Sequence, residues 1–194
     1  MKKFIVAAFM ATALAAPAAA QGHGGANSGF RIEGLVGYDD LQIPDESASG
    51  IVYGAGIGYD FGTPGMQFGV EAELTDSSVD DCIRGFVLAG DELCAEAGRD
   101  IYVGGRIGTF ISPGTLIYAK GGYTNAEIAL RYEDGTPAIF DDFVLEDELD
   151  GFRVGGGLEF GFGPNSFGKA EYRYSNYEDD FEKHQLVAGF GFRF

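Results

Sequence analysis

The side chains that could do chemistry are few. His23 and His184 are the only histidines in the 194 residues. Ser175, Asp179 and Asp180 stand near His184 and hold the parts of a Ser–His–acid nucleophile. Geometry defines such a site, and proximity across a hairpin does not supply it. His184 reads instead as a rim residue at the start of the last strand. Cys82 and Cys94 are the only cysteines. In an exported chain they read as a disulfide, closing a loop of about a dozen residues for roughly 3 kcal/mol in the chain-entropy picture. Gly155-Gly156-Gly157 and Gly54, Gly56 and Gly58 fall inside strands, where glycine permits bending and close packing, and not at phosphate loops. Clustered acids offer oxygen ligands to hard cations, but Glu146-Asp147-Glu148-Leu149-Asp150-Gly151 lacks the alternation of an EF-hand loop. No cofactor is expected.

A second group of charges is more regular. Arg31, Arg106, Lys120, Arg153, Lys169, Arg173 and Arg193 face Glu33, Glu71, Glu73, Glu159 and Glu171, with Asp60 near a turn. All sit at period-two positions beside apolar neighbours, as strands with one polar and one apolar face require. Phe30, Ile32 and Val36 oppose Arg31 and Glu33. Phe68, Val70 and Ala72 oppose Gly69, Glu71 and Glu73. Val103 and Ile107 oppose Tyr102, Gly104 and Arg106. Phe190, Phe192 and Phe194 oppose Gly191 and Arg193.

Eight such strands are read: Phe30 to Tyr38, Ile51 to Phe61, from Met66 through Leu74, from Ile101 to Ile111, from Leu116, from Phe152 to Phe160, from Lys169 to Ser175, and the C-terminal segment. The fifth loses its pattern between Asn125 and Tyr132, where a bulge is expected. Prolines 64, 113 and 164 mark three short turns, 49 and 51 residues apart, so long polar loops alternate with short turns. Strands of about ten residues suit a tilted bilayer crossing. Only a closed barrel satisfies their backbone groups in hydrocarbon. The fold class is all-β, an eight-stranded antiparallel transmembrane β-barrel with a charged lumen. An eight-stranded interior is just wide enough for side chains to fill, and buried charges there must pair. The reading is an ion-pair plug, with a gated ion path as its rival.

The N-terminus carries Lys2 and Lys3, a short apolar run from Phe4 to Leu14, and Ala18-Ala19-Ala20 before Gln21. This is the layout of a secretory signal. The domains are read as a signal over 1–20, a leader over 21–28 and a barrel over 29–194. The formal charge of −17 becomes −19 on losing Lys2 and Lys3, which excludes nucleic acid as a partner. Loops one to four take 22 of the 30 acids, Asp39, Asp76 and Glu182 among them. They read as a solvated, self-repelling surface, with divalent cations as the functional alternative.

Signal, alternating strands and terminal Phe194 together resemble the OmpA/OmpX-like outer membrane β-barrel superfamily, the small porin-family or opacity-type barrels of Gram-negative bacteria. The resemblance implies residence among outer membrane lipid and lipopolysaccharide. It also implies recognition of Gly189, Phe192 and Phe194 by the barrel assembly machinery. Val187 stands where that signal usually has a polar residue, and tryptophan is absent from the girdle, leaving Tyr and Phe to supply it. No cell-wall-binding domain is expected after the barrel. The expected role is structural, without enzymatic activity, and loops are available to divalent cations or a host surface. A narrow channel, an adhesin and a lipid-acting barrel enzyme are the alternatives.

Overall fold

The computed structural model describes residues 28–43, 46–78, 80–84, 92–133, 143–178 and 181–194. The signal, all of the leader but Ser28, and the acids Asp45, Asp91, Asp134, Asp141, Asp142, Asp179 and Asp180 lie outside the described residues.

Nine strands follow one another: β1 (Gly29–Ile43), β2 (Glu46–Thr63), β3 (Met66–Ser77), β4 (Asp80–Arg84), β5 (Glu92–Ser112), β6 (Thr115–Glu133), β7 (Phe143–Gly161), β8 (Ser166–Tyr177) and β9 (Glu182–Arg193). Sequence neighbours other than β3 and β4 pair antiparallel, β1 pairs with β9, and β3 pairs with β5. The ring therefore closes with eight strands. The ninth, β4, pairs with the outer part of β5 only and belongs to the second long hairpin. Closure leaves no open edge among these eight strands, as a chain in hydrocarbon requires.

The short turns are built from residues that fit them. Gly65 and Gly114 follow prolines with φ of 87° and 84°, the Pro-Gly signature of a type II turn. In the third turn Gly163, φ 94°, precedes Pro164. Both described ends of the chain lie at this turn end. Ser28 Oγ accepts from the Gly62 amide at 2.6 Å, and the Phe194 amide donates to the Phe30 carbonyl at 2.8 Å.

At the other end the strands run further than their apolar faces do. β5, β6 and β7 have 21, 19 and 19 residues, well beyond the ten or so that a bilayer needs. Several acids read as loop residues are therefore on strands: Asp76 on β3, Asp80 and Asp81 on β4, Glu92 and Glu96 on β5, Glu133 on β6, Glu146 to Asp150 on β7, Glu182 on β9. The expected bulge also moves. β6 runs unbroken to Glu133, and the irregularity is on β5, where Gly98 and Arg99 together oppose Glu127. Asp100, in period two with Tyr102 and Arg106, faces inward, while Arg99 stays outside.

The outward face is apolar. Phe30, Ile32, Val36 and Tyr38 on β1, and Leu186, Phe190, Phe192 and Phe194 at the C-terminus, are all exposed. Near the middle of each barrel strand the outward position is small: Gly34, Ala55, Ala72, Gly105, Gly121, Gly156, Ala170 and Ala188. Aromatics divide by end. Phe30, Phe61, Phe68, Phe160, Phe162, Phe190, Phe192 and Phe194 ring the turn end, together with Tyr59. Tyr38, Tyr53, Tyr123, Tyr172 and Tyr174 ring the other, with Phe152 among them.

Candidate functional site

The inward face is the candidate site. Glycine makes it possible: the inward positions between charges are often Gly54, Gly56, Gly58, Gly104, Gly122, Gly155 or Gly157. The Cβ of an alanine at Gly122 would fall 2.2 Å from the Val103 carbonyl oxygen, so long charged side chains can fill this space only because the wall is thin there.

Eight cations and eight carboxylates fill the lumen among the described residues. The cations are Arg31, Arg106, Lys120, Arg153, Lys169, Arg173, Lys183 and Arg193. The carboxylates are Glu33, Asp39, Asp60, Glu71, Glu73, Asp100, Glu159 and Glu171. All are buried except Arg193, whose side chain is 14% exposed at the turn end. The ion pairs divide them into two sets.

The larger set begins at the turn end. Asp60 takes Arg106 side-on, with Nε to Oδ1 at 3.0 Å and Nη2 to Oδ2 at 2.8 Å, and Arg193 Nη2 at 2.9 Å. Arg106 Nη1 and Arg193 Nη2 also reach Glu159, at 2.9 and 2.8 Å. Arg31 joins Asp60 to Glu33 and Glu71. Lys120 Nζ then meets three carboxylates, Glu71 at 2.7 Å, Glu73 at 2.8 Å and Glu171 at 3.2 Å. Lys169 meets Glu33 at 2.8 Å, and Glu171 and Glu73 a little further off. Arg173 closes the set on Glu73 and Glu171, and the Tyr118 hydroxyl donates to Glu171. Six cations pair with six carboxylates.

The smaller set lies toward the long-hairpin end. Asp100 accepts from Arg153, from Thr124 at 2.8 Å and from Tyr177 at 2.9 Å. Lys183 lies 3.2 Å from Asp39 and 3.4 Å from Asp100. Arg153 Nε also donates to Ser175 Oγ at 2.8 Å. Here two cations pair with two carboxylates. Asp39 is thus a lumen residue and not a loop acid, and Asp100 and Lys183 were missed by the sequence reading. Their signal was present in the period-two spacing, Asp39 six positions after Glu33 and Asp100 six before Arg106.

Both ends of the lumen carry apolar side chains. Phe167 and Leu116 are buried at the turn end, with Arg193 stacked 5.1 Å above the Phe167 ring. Tyr177, Phe181 and Ala126 form a buried cluster at the far end.

On the outside, tyrosines meet polar groups on a neighbouring strand or hairpin. Tyr53 donates to Asp76, Tyr174 to Glu182 at 2.9 Å, and Tyr172 pairs with His184 Nδ1 at 2.7 Å. The Tyr123 hydroxyl and the Asn125 amide donate to Asp150 and hold its carboxyl below the usual carboxylate range. Arg99 pairs outside with Glu127 and Glu148. His184 packs among tyrosines on the outer face, whereas Ser175 is buried inside. The two groups face opposite sides of the wall, so this Ser–His pair does not assemble. Cys82 and Cys94 are direct register partners on β4 and β5.

A family model for an outer membrane protein β-barrel domain matches residues 4–194. The chain belongs to that family. It is an outer membrane protein. Among solved structures, Ail of Yersinia pestis is similar at 17% identity with a TM-score of 0.54, covering 86% of this chain and 99% of that one. Neisserial surface protein A gives 16% identity and a TM-score of 0.55, covering 86% and 98%. A major outer membrane protein of Thermus thermophilus gives 11% and 0.50, covering 84% and 99%. At these identities the likeness is one of fold. No curated protein sequence matches the chain.

Proposed function

We propose that this is a small, non-enzymatic barrel that contributes to envelope integrity, with a lumen plugged by its own ion pairs and acidic hairpins outside. One observation carries the reading. The eight lumen cations each lie within ion-pair distance of a lumen carboxylate, and the two signs balance among the described residues. Removing one partner of a buried pair typically costs 3–5 kcal/mol, so the network resists rearrangement into a path. The test is conductance of the purified mature chain in planar bilayers, beside envelope sensitivity to detergent in a deletion strain. The expected results are a silent bilayer and a more sensitive strain. Reproducible open events, lost on changing Arg106 or Glu71, would replace the plug with a narrow channel.

The outer surface supports a second element of the proposal. Eight of the thirteen lysines and arginines are in the lumen, and Lys2 and Lys3 belong to the signal, cleaved after Ala20 in this reading. Arg84, Arg99 and Arg131 are left to the rest of the mature chain, against 22 acids. Ail has been solved with the heparin analogue sucrose octasulfate, a polyanion that this surface would repel. Contact with lipopolysaccharide phosphates here would run through divalent cations, which take clustered oxygen ligands. During biogenesis, Gly189, Phe192 and Phe194 would present the strand signal to the barrel assembly machinery. Phe192 and Phe194 are both exposed on the lipid face.

A further inference from the structure

The two ion-pair sets share no salt bridge among the described residues, and each is neutral by itself. Between them, on the β1, β5, β6 and β7 walls, lies a layer of a different kind, whereas on β8 Arg173 of the larger set and Ser175, which accepts from Arg153, are successive inward residues. On β1 the inward residues between Glu33 and Asp39 are Leu35 and Gly37. On β5, Tyr102 and Gly104 separate Asp100 from Arg106. On β6 and β7, Gly122 and Gly155 fill the same interval. Leu35, Val52 and Val187 pack together as one buried cluster.

Tyr102 is the large residue of this layer. It is fully buried, and among the described residues its hydroxyl has no hydrogen-bond partner. A buried hydroxyl left without a partner costs free energy, so its retention points to the ring. The ring touches both sets: Lys120 Nζ lies 4.4 Å from its centre, and the Arg153 guanidinium carbon 5.5 Å. The lysine belongs to the larger set and the arginine to the smaller. The tip of the side chain lies over Gly104, where a Cβ would fall 2.1 Å from the hydroxyl oxygen. The bare strand thus gives the ring room to lie along β5, between the two sets.

We propose that Tyr102, with Leu35, Val52 and Val187 on the opposite wall, forms a septum between two self-neutral compartments and is the element that denies ions a continuous polar path. This rests on the plug reading and relocates the barrier, from the ion pairs to an aromatic layer between them. Each charged compartment can then lose a pair without opening the barrel.

The test is planar-bilayer conductance of the full mature chain, each variant first shown to be folded by heat-modifiable gel migration. Tyr102→Phe keeps the ring and is expected to stay silent. Tyr102→Ala is expected to give reproducible conductance steps where the wild type gives none. The double variant Asp100→Asn with Arg153→Met removes a neutral pair with the ring in place, and is expected to stay silent. Should Tyr102→Ala give no folded band, Leu35→Ala with Val187→Ala opens the same layer from the opposite wall and is read the same way. A folded, silent Tyr102→Ala, or a folded, silent Leu35→Ala with Val187→Ala, overturns the septum, as does conductance from Tyr102→Phe or from the double variant. Steady conductance from the wild type overturns the plug reading itself.

Discussion

At the scale of single residues, the lumen sets side chains in roles that are not interchangeable. Asp60 receives arginines from β1, β5 and β9, and Arg106 is the one that engages it side-on. Substituting Arg106→Met leaves Glu159 with Arg193 alone and is expected to cost about 3–5 kcal/mol. Urea unfolding of the barrel in lipid vesicles would measure it. In the smaller set, Asp100→Asn alone leaves Arg153 and Lys183 facing a neutral amide. Removing Asp100 and Arg153 together is expected to cost less than the two single changes added, by about 0.5–3 kcal/mol of coupling; a double-mutant cycle on the same unfolding assay decides it. Glycines give the sharpest contrast. Gly122→Ala would drive a methyl group into the Val103 backbone and is expected to destabilise by about 1–3 kcal/mol. Gly34 has nothing within 4 Å of its absent Cβ, and Gly34→Ala is expected to leave the unfolding midpoint unchanged or raised.

At the scale of elements, the turns and the outer hairpins obey different rules. Gly114 holds φ at 84°, which costs any side chain, so Gly114→Ala is expected to lose about 1 kcal/mol, read from the same unfolding curves. Cys82 and Cys94 are register partners on β4 and β5, outside the ring that closes through β3 and β5. Peptide mapping without reductant is expected to recover them linked, and reduction is expected to leave the heat-modifiable barrel band intact. The strands were legible in the sequence where one face meets lipid, because there alternation is strict: Val103 and Ile107 out, Arg106 in. Their outer halves were not. Beyond the girdle the outward positions also become polar, as at Asp40, Arg99 and Glu182, and a strand that is polar on both faces has the composition of a loop. Asp39, Asp100 and Lys183 lie in that zone.

At the scale of the molecule, charge is partitioned. Among the described residues, eight cations are gathered inside and paired with eight carboxylates, while Asp76, Asp150 and Glu182 are on the outer face. The aromatic ends differ in the same spirit: tyrosines face the acidic end, where hydroxyls find carboxylates, and phenylalanines dominate the turn end. Exchanging Tyr53, Tyr123 and Tyr174 for Phe removes three hydroxyl contacts to Asp76, Asp150 and Glu182 while keeping the rings. The triple variant is expected to fold and insert but to unfold at slightly lower urea than the wild type. The two neutral compartments have one more consequence, which is electrical. A unit charge carried across a membrane potential does work of about 2.3 kcal/mol per 100 mV. A compartment whose charges sum to zero does none when displaced as a body along the axis, so a potential across the outer membrane has no handle with which to pull the lumen open.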